Sequence, residues 1–139
     1  LTLARQTLAQ ANAALAERFS PRLVREASEI FSELTGGRYA RVQISRQMEL
    51  EAGQPDAAMR RSLFLSGGTA DELYLSVRLA VCRLLLPEDA PLLLDDALVM
   101  FDDDRLRLAL RLLQREAENR QILLFTCQHR EQKALTTDL

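Results

Sequence analysis

The sequence Leu92-Leu93-Leu94-Asp95-Asp96 begins the segment that decides the fold. Three consecutive leucines predict a short strand that is buried on both faces, as in a parallel sheet. The acidic run from Asp102 to Asp104 then opens a helix, and a second apolar strand follows from Gln121 to Phe125. The order strand, helix, strand predicts a βαβ unit and therefore a short parallel sheet in an α/β protein.

A helix and a β-hairpin are predicted upstream of this unit. Apolar residues at helical spacing predict a helix that ends at Gly36-Gly37, because glycine is the usual C-cap residue; they are Leu23, Ala27, Ile30, Phe31 and Leu34. Alternation from Tyr39 to Ser45 predicts a strand, with Ala40, Val42 and Ile44 on one face. Glu51 to Asp56 is then a turn region, and Arg61 to Leu65 is the returning strand of the hairpin.

A second helix is predicted from about Ala70 to Leu86, after the break at Ser66-Gly67-Gly68-Thr69. Its spacing predicts a buried side formed by Leu73, Val77, Ala80, Val81 and Leu84.

Residues 1–20 form a separate unit in this interpretation. They show helical spacing with few strong apolar anchors, which is typical of an exposed helix or the end of a coiled coil. Ser20-Pro21 then restarts a helix, with serine as N-cap and proline at the first helical position. We therefore expect a chain cut from a longer protein, with the end of a coiled coil or a linker helix at 1–20 and one domain at 21–139.

Lysine is almost absent, and this excludes one class of function. Of 18 basic side chains only Lys133 is a lysine, and no glycine precedes it directly. A phosphate-binding P-loop requires the sequence G-x-x-x-x-G-K-[ST]. The chain by itself is therefore not a complete P-loop nucleotide hydrolase.

The remaining composition is that of an ordinary globular domain. The net charge is −2, so no overall basic field favours nucleic acid. Cys82 and Cys127 are too few, with the single His129, for a disulfide framework or a zinc site. No apolar run is long enough to span a bilayer, and no signal pattern is present. We expect no membrane partner and a cytoplasmic protein.

Three segments are candidates for chemistry. Leu65-Ser66-Gly67-Gly68-Thr69 precedes a helix, and the amides at a helix N-terminus attract anions, although a glycine pair is most often only a turn. Asp95 and Asp96 follow a buried strand, where carboxylates suit Mg²⁺ or orient a water molecule. Thr126 to His129 follows the neighbouring strand, so we expect it beside the two aspartates. Asp102 to Asp104 is equally typical of helix capping.

The order of these segments resembles the ATP-binding-cassette superfamily. Leu65-Ser66-Gly67-Gly68-Thr69 resembles its signature motif, and Leu92-Leu93-Leu94-Asp95 resembles its Walker B strand. Asp96 lies where the catalytic glutamate is usual, Asp102 resembles the D-loop aspartate, and His129 is a candidate switch histidine. Within the superfamily, residues 21–130 resemble the SMC and SbcC type of DNA-repair and chromosome ATPases, with Leu34 to Tyr39 similar to the entry to their C-terminal lobe. The segments from Phe64 to Leu75 and from Leu124 to Cys127 are most similar to the YhaN-like branch.

This resemblance implies that the chain is the C-terminal lobe of an ATPase head that uses ATP and Mg²⁺. It implies roles for six residues: Asp95 holds Mg²⁺, Asp96 activates water, Ser66, Gly67 and Gly68 contact ATP bound to a second head, and Asp102, also at the nucleotide site, couples the two sites across the head dimer. His129, or Gln128 in its place, is the switch residue. The implied partners are an N-terminal lobe carrying the Walker A lysine, a second head bound across ATP, DNA, and a nuclease subunit, with association with the nucleoid.

Three other functions stay open at this point. A transporter nucleotide-binding domain is disfavoured because Asp96 is followed by Ala97 rather than proline. A Mg²⁺-dependent nuclease would use the acidic cluster, and a structural dimerisation module would bind ATP without hydrolysing it. Arginines around the predicted hairpin are either phosphate contacts or a solvated charged surface, and the second interpretation is favoured; they are Arg38, Arg41, Arg46, Arg60 and Arg61.

Overall fold

The computed structural model describes residues 21–45 and 49–137. The predictions for residues 1–20, including the N-cap at Ser20, and for Arg46 lie outside these residues. The described elements, in chain order, are helix α1 (21–34), strands β1 (Arg41–Ile44), β2 (Leu50–Gly53) and β3 (Arg60–Arg61), a 3₁₀ turn (Ser62–Phe64), helix α2 (Gly67–Leu85), strand β4 (Leu92–Asp95), helix α3 (Asp103–Glu116), strand β5 (Ile122–Phe125) and helix α4 (His129–Thr137).

The predicted βαβ unit is confirmed. Strands β4 and β5 pair in parallel, with Leu92 opposite Ile122 and Asp95 opposite Phe125. Helix α3 connects them and begins after Asp102, whose carboxylate accepts a hydrogen bond from the backbone N–H of Arg105. The apolar face of α3 is buried, so the crossover helix covers one face of the strand pair; its buried residues are Leu106, Ala109, Leu110, Leu112 and Leu113.

The prediction that these strands are buried on both faces is wrong. Leu92 and Leu94 are buried, but Leu93 is 63% exposed and Phe125 is 53% exposed. The described helices therefore cover one face of the sheet and leave the other open. The run of three leucines contains an outward-facing residue that sequence pattern alone cannot distinguish from a core residue.

The predicted hairpin partner is also wrong. Strand β1 pairs antiparallel with β2, with Val42 opposite Ala52, and β2 pairs in turn with the two residues of β3. Residues 51–53, expected in a turn, are thus in the central strand of a three-stranded sheet. Leu50 and Ala52 give β2 a buried face, and they alternate with Glu49 and Glu51 in a run too short to stand out beside the turn residues Gly53 to Asp56. Of the return strand expected from Arg61 to Leu65, only Arg61 lies in a strand, as the second residue of β3, and Ser62–Phe64 form the 3₁₀ turn.

The two long upstream helices largely match expectation. In α1, the residues Ala27, Ile30, Phe31 and Leu34 are buried, and positive φ angles at Gly36 and Gly37 end the helix as predicted. Helix α2 begins at Gly67, three residues before the predicted start, and its buried side is rotated. Leu73 and Ala80 are buried as predicted, whereas Leu75 and Leu79 replace Val77, Val81 and Leu84, which are only partly buried. Within the described ranges, no helix is both long and apolar enough to cross a membrane.

Ion pairs connect α1 to the two helices packed against it. The guanidinium of Arg83, near the end of α2, lies 3.2 Å from the carboxylate of Glu26 and also pairs with Glu116 of α3. Arg115 of α3 lies 2.6 Å from Glu33 of α1. Helices α1, α2 and α3 are thus linked at one end by charge as well as by apolar packing.

The open sheet face gives a test of the architecture. We expect Leu94→Ala to lower the free energy of unfolding by about 2–4 kcal/mol, because it leaves a cavity in the core. Leu93→Ala, on the same strand, should cost less than about 1 kcal/mol because its side chain is largely solvated already. Urea unfolding of the two variants followed by circular dichroism measures the difference, and equal losses would mean that the outer face is packed.

Candidate functional site

Asp95 and Asp96 lie at the carboxyl edge of the parallel strand pair, and both are exposed. The backbone N–H of Asp96 donates to the carbonyl of Phe125 at 2.9 Å, which extends the pairing one residue beyond the strand. The φ angle of Asp96 is +47°, a left-handed conformation that aspartate tolerates better than most residues. The chain therefore turns sharply at the residue that follows the strand.

The loop after β5 lies against this turn, as the parallel topology predicted. The backbone N–H of Cys127 donates to Oδ1 of Asp96 at 3.3 Å. His129 is the first residue of α4 and is exposed. Gln128 accepts a hydrogen bond from Nε of Arg130 at 2.7 Å, so its side chain amide is already engaged within the loop. The structure thus brings Asp96 next to the loop that carries both switch candidates.

The segment Leu65 to Thr69 forms the start of α2. Ser66 is the N-cap residue by backbone conformation, but its hydroxyl does not cap the helix; it lies 2.9 Å from the hydroxyl of Thr69. A Cβ atom added to Gly68 would lie 3.1 Å from the carbonyl oxygen of Met100. Glycine at this position therefore permits the loop before α3 to approach the helix backbone closely.

Asp102 lies two residues after Met100, whose carbonyl contacts Gly68, and its carboxylate is held by Arg105. Its Oδ1 accepts from the backbone N–H of Arg105 at 2.9 Å, and its Oδ2 pairs with the Arg105 guanidinium. The hydrogen bond from the Arg105 backbone N–H lowers the pKa of Asp102 below its usual value. Asp103 and Asp104 lie in the first turn of α3 and are 90% and 84% exposed, so they fit the capping and helix-dipole interpretation.

Sequence reasoning missed the residue at the centre of this arrangement. The guanidinium of Arg105 contacts Asp102, donates from Nη2 to the hydroxyl of Thr69 at 3.2 Å, and places Nε 3.2 Å from Oε1 of Glu72. The three-residue spacing of Asp102 and Arg105 is a recognisable helix pair. No signal in the sequence, however, connects Arg105 to Thr69, which lies 36 positions earlier.

Glu72 is the most perturbed carboxyl group of this arrangement. It is 1% exposed, on the second turn of α2, with Arg105 as its ion-pair partner. Burial raises the pKa of Glu72 to about 7, and the nearby Arg105 only partly opposes this rise. Desolvation of the carboxylate therefore outweighs the attraction of the guanidinium.

The candidate residues form two groups on opposite ends of one loop. Asp96 and the Cys127 loop make the first group, and Ser66, Gly67, Gly68, Thr69 and Asp102 make the second. The segment from Asp96 to Asp102 runs between them, and Arg130 fixes it by donating to the carbonyl of Val99 at 3.1 Å. One chain therefore presents the signature-like segment and the aspartate pair as distinct surfaces.

Two of the arginines around the antiparallel sheet, Arg41 and Arg61, have structural partners. Arg41 donates to the carbonyls of Gln54 and Ala57, at 3.1 and 2.5 Å, and so braces the turn after β2. Arg61 pairs with Glu49 across the same sheet. These contacts agree with a solvated charged surface for the two residues.

The carboxylate oxygens of Asp95 and Asp96 are the kind of ligand that a hard cation prefers, but two side chains are too few to complete its coordination. Among residues 21–45 and 49–137, no group of three or more histidine, cysteine, aspartate or glutamate side chains could hold a metal ion. Mg²⁺ in nucleotide sites is held by few carboxylates together with phosphate oxygens and water. Asp95 and Asp96 fit that kind of site, in which other groups complete the coordination.

Comparison with known proteins identifies the fold. No family model matches the chain. A structure from work on ATP-driven dimerization and DNA stimulated activation of SMC ATPases has a TM-score of 0.73 at 19% identity, covering 87% of this chain and 76% of that one. The Smc head domain of Pyrococcus furiosus, with an extended coiled coil and bound to the C-terminal domain of ScpA, has a TM-score of 0.67 at 19% identity, covering 85% and 31%. The SMC head domain of Thermotoga maritima has a TM-score of 0.64 at 18% identity, covering 87% and 44%.

The chain thus has the fold of the C-terminal lobe of an SMC-type head domain, which confirms the fold prediction. Its sequence is similar to that of the uncharacterised protein YhaN of Bacillus subtilis strain 168, with 36% identity over 110 residues. That alignment covers 77% of this chain and 11% of YhaN. The resemblance to the YhaN-like branch is confirmed, and the chain spans only a small part of that relative.

Glu72 predicts a pH dependence of stability. The pKa of Glu72 is about 7 in the folded state against an ordinary value of 4.5, so between these values the folded state retains a proton that the unfolded state has lost. The free energy of unfolding should therefore fall as the pH rises through this window, by a loss on the order of 3 kcal/mol. Urea unfolding at about pH 5 and about pH 8 should show this slope in the wild type and a reduced slope in Glu72→Gln.

The matched control is Glu118→Gln, an exposed glutamate just after α3 that should keep the wild-type slope. An unchanged slope in Glu72→Gln would contradict the assignment of this pH dependence to Glu72.

Proposed function

We propose that this chain is the C-terminal half of an ATP-binding and ATP-hydrolysing head of the SMC and SbcC type. The observation that carries the proposal is the packing of the Met100 carbonyl against Gly68, within a fold shared with SMC heads. This contact joins the signature-like segment, which contains Gly68, to the D-loop-like segment, which contains Met100 and Asp102. A head that presents both segments to a partner needs them to lie side by side.

The open face of the parallel sheet supports a missing second lobe. Leu93, Leu123 and Phe125 are exposed there, although buried parallel sheets are normally covered on both faces. A lobe that carries the Walker A lysine would cover these side chains and supply the group that this chain lacks. In this proposal the heads of one protein are assembled from two lobes.

The roles follow from the positions of the side chains. Asp95 would hold Mg²⁺, which neutralises charge on the phosphates, together with the P-loop hydroxyl of the other lobe. Asp96, one residue beyond the strand, would orient the attacking water and accept its proton. His129 is the favoured switch candidate because the side-chain oxygen of Gln128 already accepts a hydrogen bond from Arg130. Most of this catalysis is positioning, which two lobes can share.

A second head completes the proposed site. Ser66, Gly67 and Gly68 would face the γ-phosphate of ATP held by the opposing head, and Asp102 would couple the two sites. The SMC structure with the same fold comes from work on ATP-driven dimerization and DNA stimulated activation, which supports dimerisation across ATP and a DNA partner here. We extend this to a role in DNA repair or chromosome maintenance in the cytoplasm, at the nucleoid, with a nuclease subunit as a further partner.

One observation favours a second function, a dimerisation module that binds ATP without turning it over. The side chain of Asp96 is one methylene shorter than the usual glutamate, and its Oδ1 already accepts a hydrogen bond from Cys127. Both features reduce the reach of the proposed base toward a water molecule.

ATP turnover tests the proposal. In a complete head, made of this chain and the Walker A lobe, we expect Asp96→Asn to lower kcat by about 100-fold or more, while ATP-dependent dimers persist. Ser66→Arg should abolish the dimers by placing a bulky cation at the interface, and leave ATP binding to each head intact. The chain alone should show no turnover, since it has no P-loop lysine.

The control is Asp104→Asn, which removes an exposed carboxylate of the same acidic region whose partner is the exposed Arg107, and which should leave kcat unchanged. Turnover by the isolated chain would contradict the proposal. ATP-dependent dimers without turnover in the wild-type head, even with DNA, would select the dimerisation module.

A further inference from the structure

We propose that Arg105 is a positioning residue that holds the Ser66 hydroxyl and the Asp102 carboxylate in a fixed relation, so that a head presents both to its partner as one rigid unit. This inference rests on the proposed function. It adds a residue that neither the signature-like motif nor the acidic motif contains.

Three contacts of one guanidinium carry the argument. Arg105 reaches Asp102 through Nη1, Thr69 through Nη2 and Glu72 through Nε. The Thr69 hydroxyl in turn lies 2.9 Å from the Ser66 hydroxyl. A continuous polar path therefore runs from Ser66 through Thr69 and Arg105 to Asp102.

The surroundings of Arg105 restrict its movement. Its side chain is only 21% exposed, and Thr69 is 3% exposed. A Cβ atom on Gly68 would lie 3.2 Å from Nη1 of Arg105, so the guanidinium fills the space that the glycine leaves. The hydrogen bond from Arg105 to the buried Thr69 is partly shielded from water, and hydrogen bonds that involve a charged group are stronger in such surroundings.

A planar guanidinium suits this task better than an ammonium group. Its donors point in fixed directions, so one side chain can donate to Asp102 and Thr69 while its charge lies beside the carboxylate of Glu72. A lysine would supply one flexible point charge and could not hold the same three partners. We therefore expect the Arg105→Lys variant to retain only part of the ATP turnover of the wild-type head.

A purely structural role is the competing explanation, in which Arg105 only neutralises the buried Glu72. The double variant Arg105→Gln with Glu72→Gln separates the two roles, because it removes the buried carboxylate together with its partner. If Arg105 only neutralises Glu72, the double variant should regain wild-type turnover. If Arg105 positions Ser66 and Asp102, turnover should stay low although the fold is intact.

The experiment compares this double variant, Arg105→Lys and wild type in the complete head. We expect the double variant to lower kcat by about 10-fold to 100-fold, because small displacements of positioned groups are that costly. The KM for ATP should change by less than about threefold, because the Walker A lobe of each head binds the nucleotide in the proposed site. The control is Arg107→Gln on the same helix, whose exposed partner Asp104 belongs to neither group.

Hydrogen exchange over residues 65–70, without nucleotide, gives a readout that does not need ATP chemistry. We expect at least about tenfold faster exchange in the double variant and no change in Arg107→Gln. Wild-type kcat and wild-type exchange in the double variant would overturn the positioning role. A wild-type head that binds no ATP would overturn the proposed function instead, and the exchange measurement would still decide whether Arg105 fixes this segment.

Discussion

The parallel pairing of β4 with β5 determines where the candidate residues lie. Parallel neighbours need a crossover, and here α3 supplies it. Both strands end at the same edge, which places Asp96 beside the Cys127 loop through two hydrogen bonds. The crossover must also begin with a loop from Asp96 to Asp102, and that loop packs on the start of α2. One pairing thus brings segments from three parts of the sequence together.

Ion pairs link the helices that the apolar core packs together. Arg83 pairs with Glu26 and Glu116 at one end of the helical layer, and Arg105 pairs with Glu72 and Asp102 at the other. Helix α2 carries both Arg83 and Glu72, so it connects the helix α1, at the start of the described chain, to the signature-like segment.

The open sheet face and the separated site groups have a common explanation in the proposed head. A lobe that packs on Leu93 and Phe125 would bring nucleotide to Asp95 and Asp96. The exposed Ser66 of the signature-like segment would be left for the second head of the proposal. The absence of a P-loop lysine, the exposed apolar face and the two separate polar groups are then three consequences of one division of the site.

The sequence by itself determined the βαβ unit, the helix that ends at Gly36-Gly37, and the segments that could carry chemistry. These features can be predicted because the spacing of apolar residues, a glycine at a helix end and acidic residues at a helix start are local signals. Each depends on a few neighbouring residues. Only the tertiary structure decided that β2 rather than residues 61–65 pairs with β1, that Leu93 faces outward, and that Arg105 joins Thr69, Glu72 and Asp102. These outcomes depend on contacts between residues far apart in the chain, where burial and charge are settled by packing and not by the local pattern.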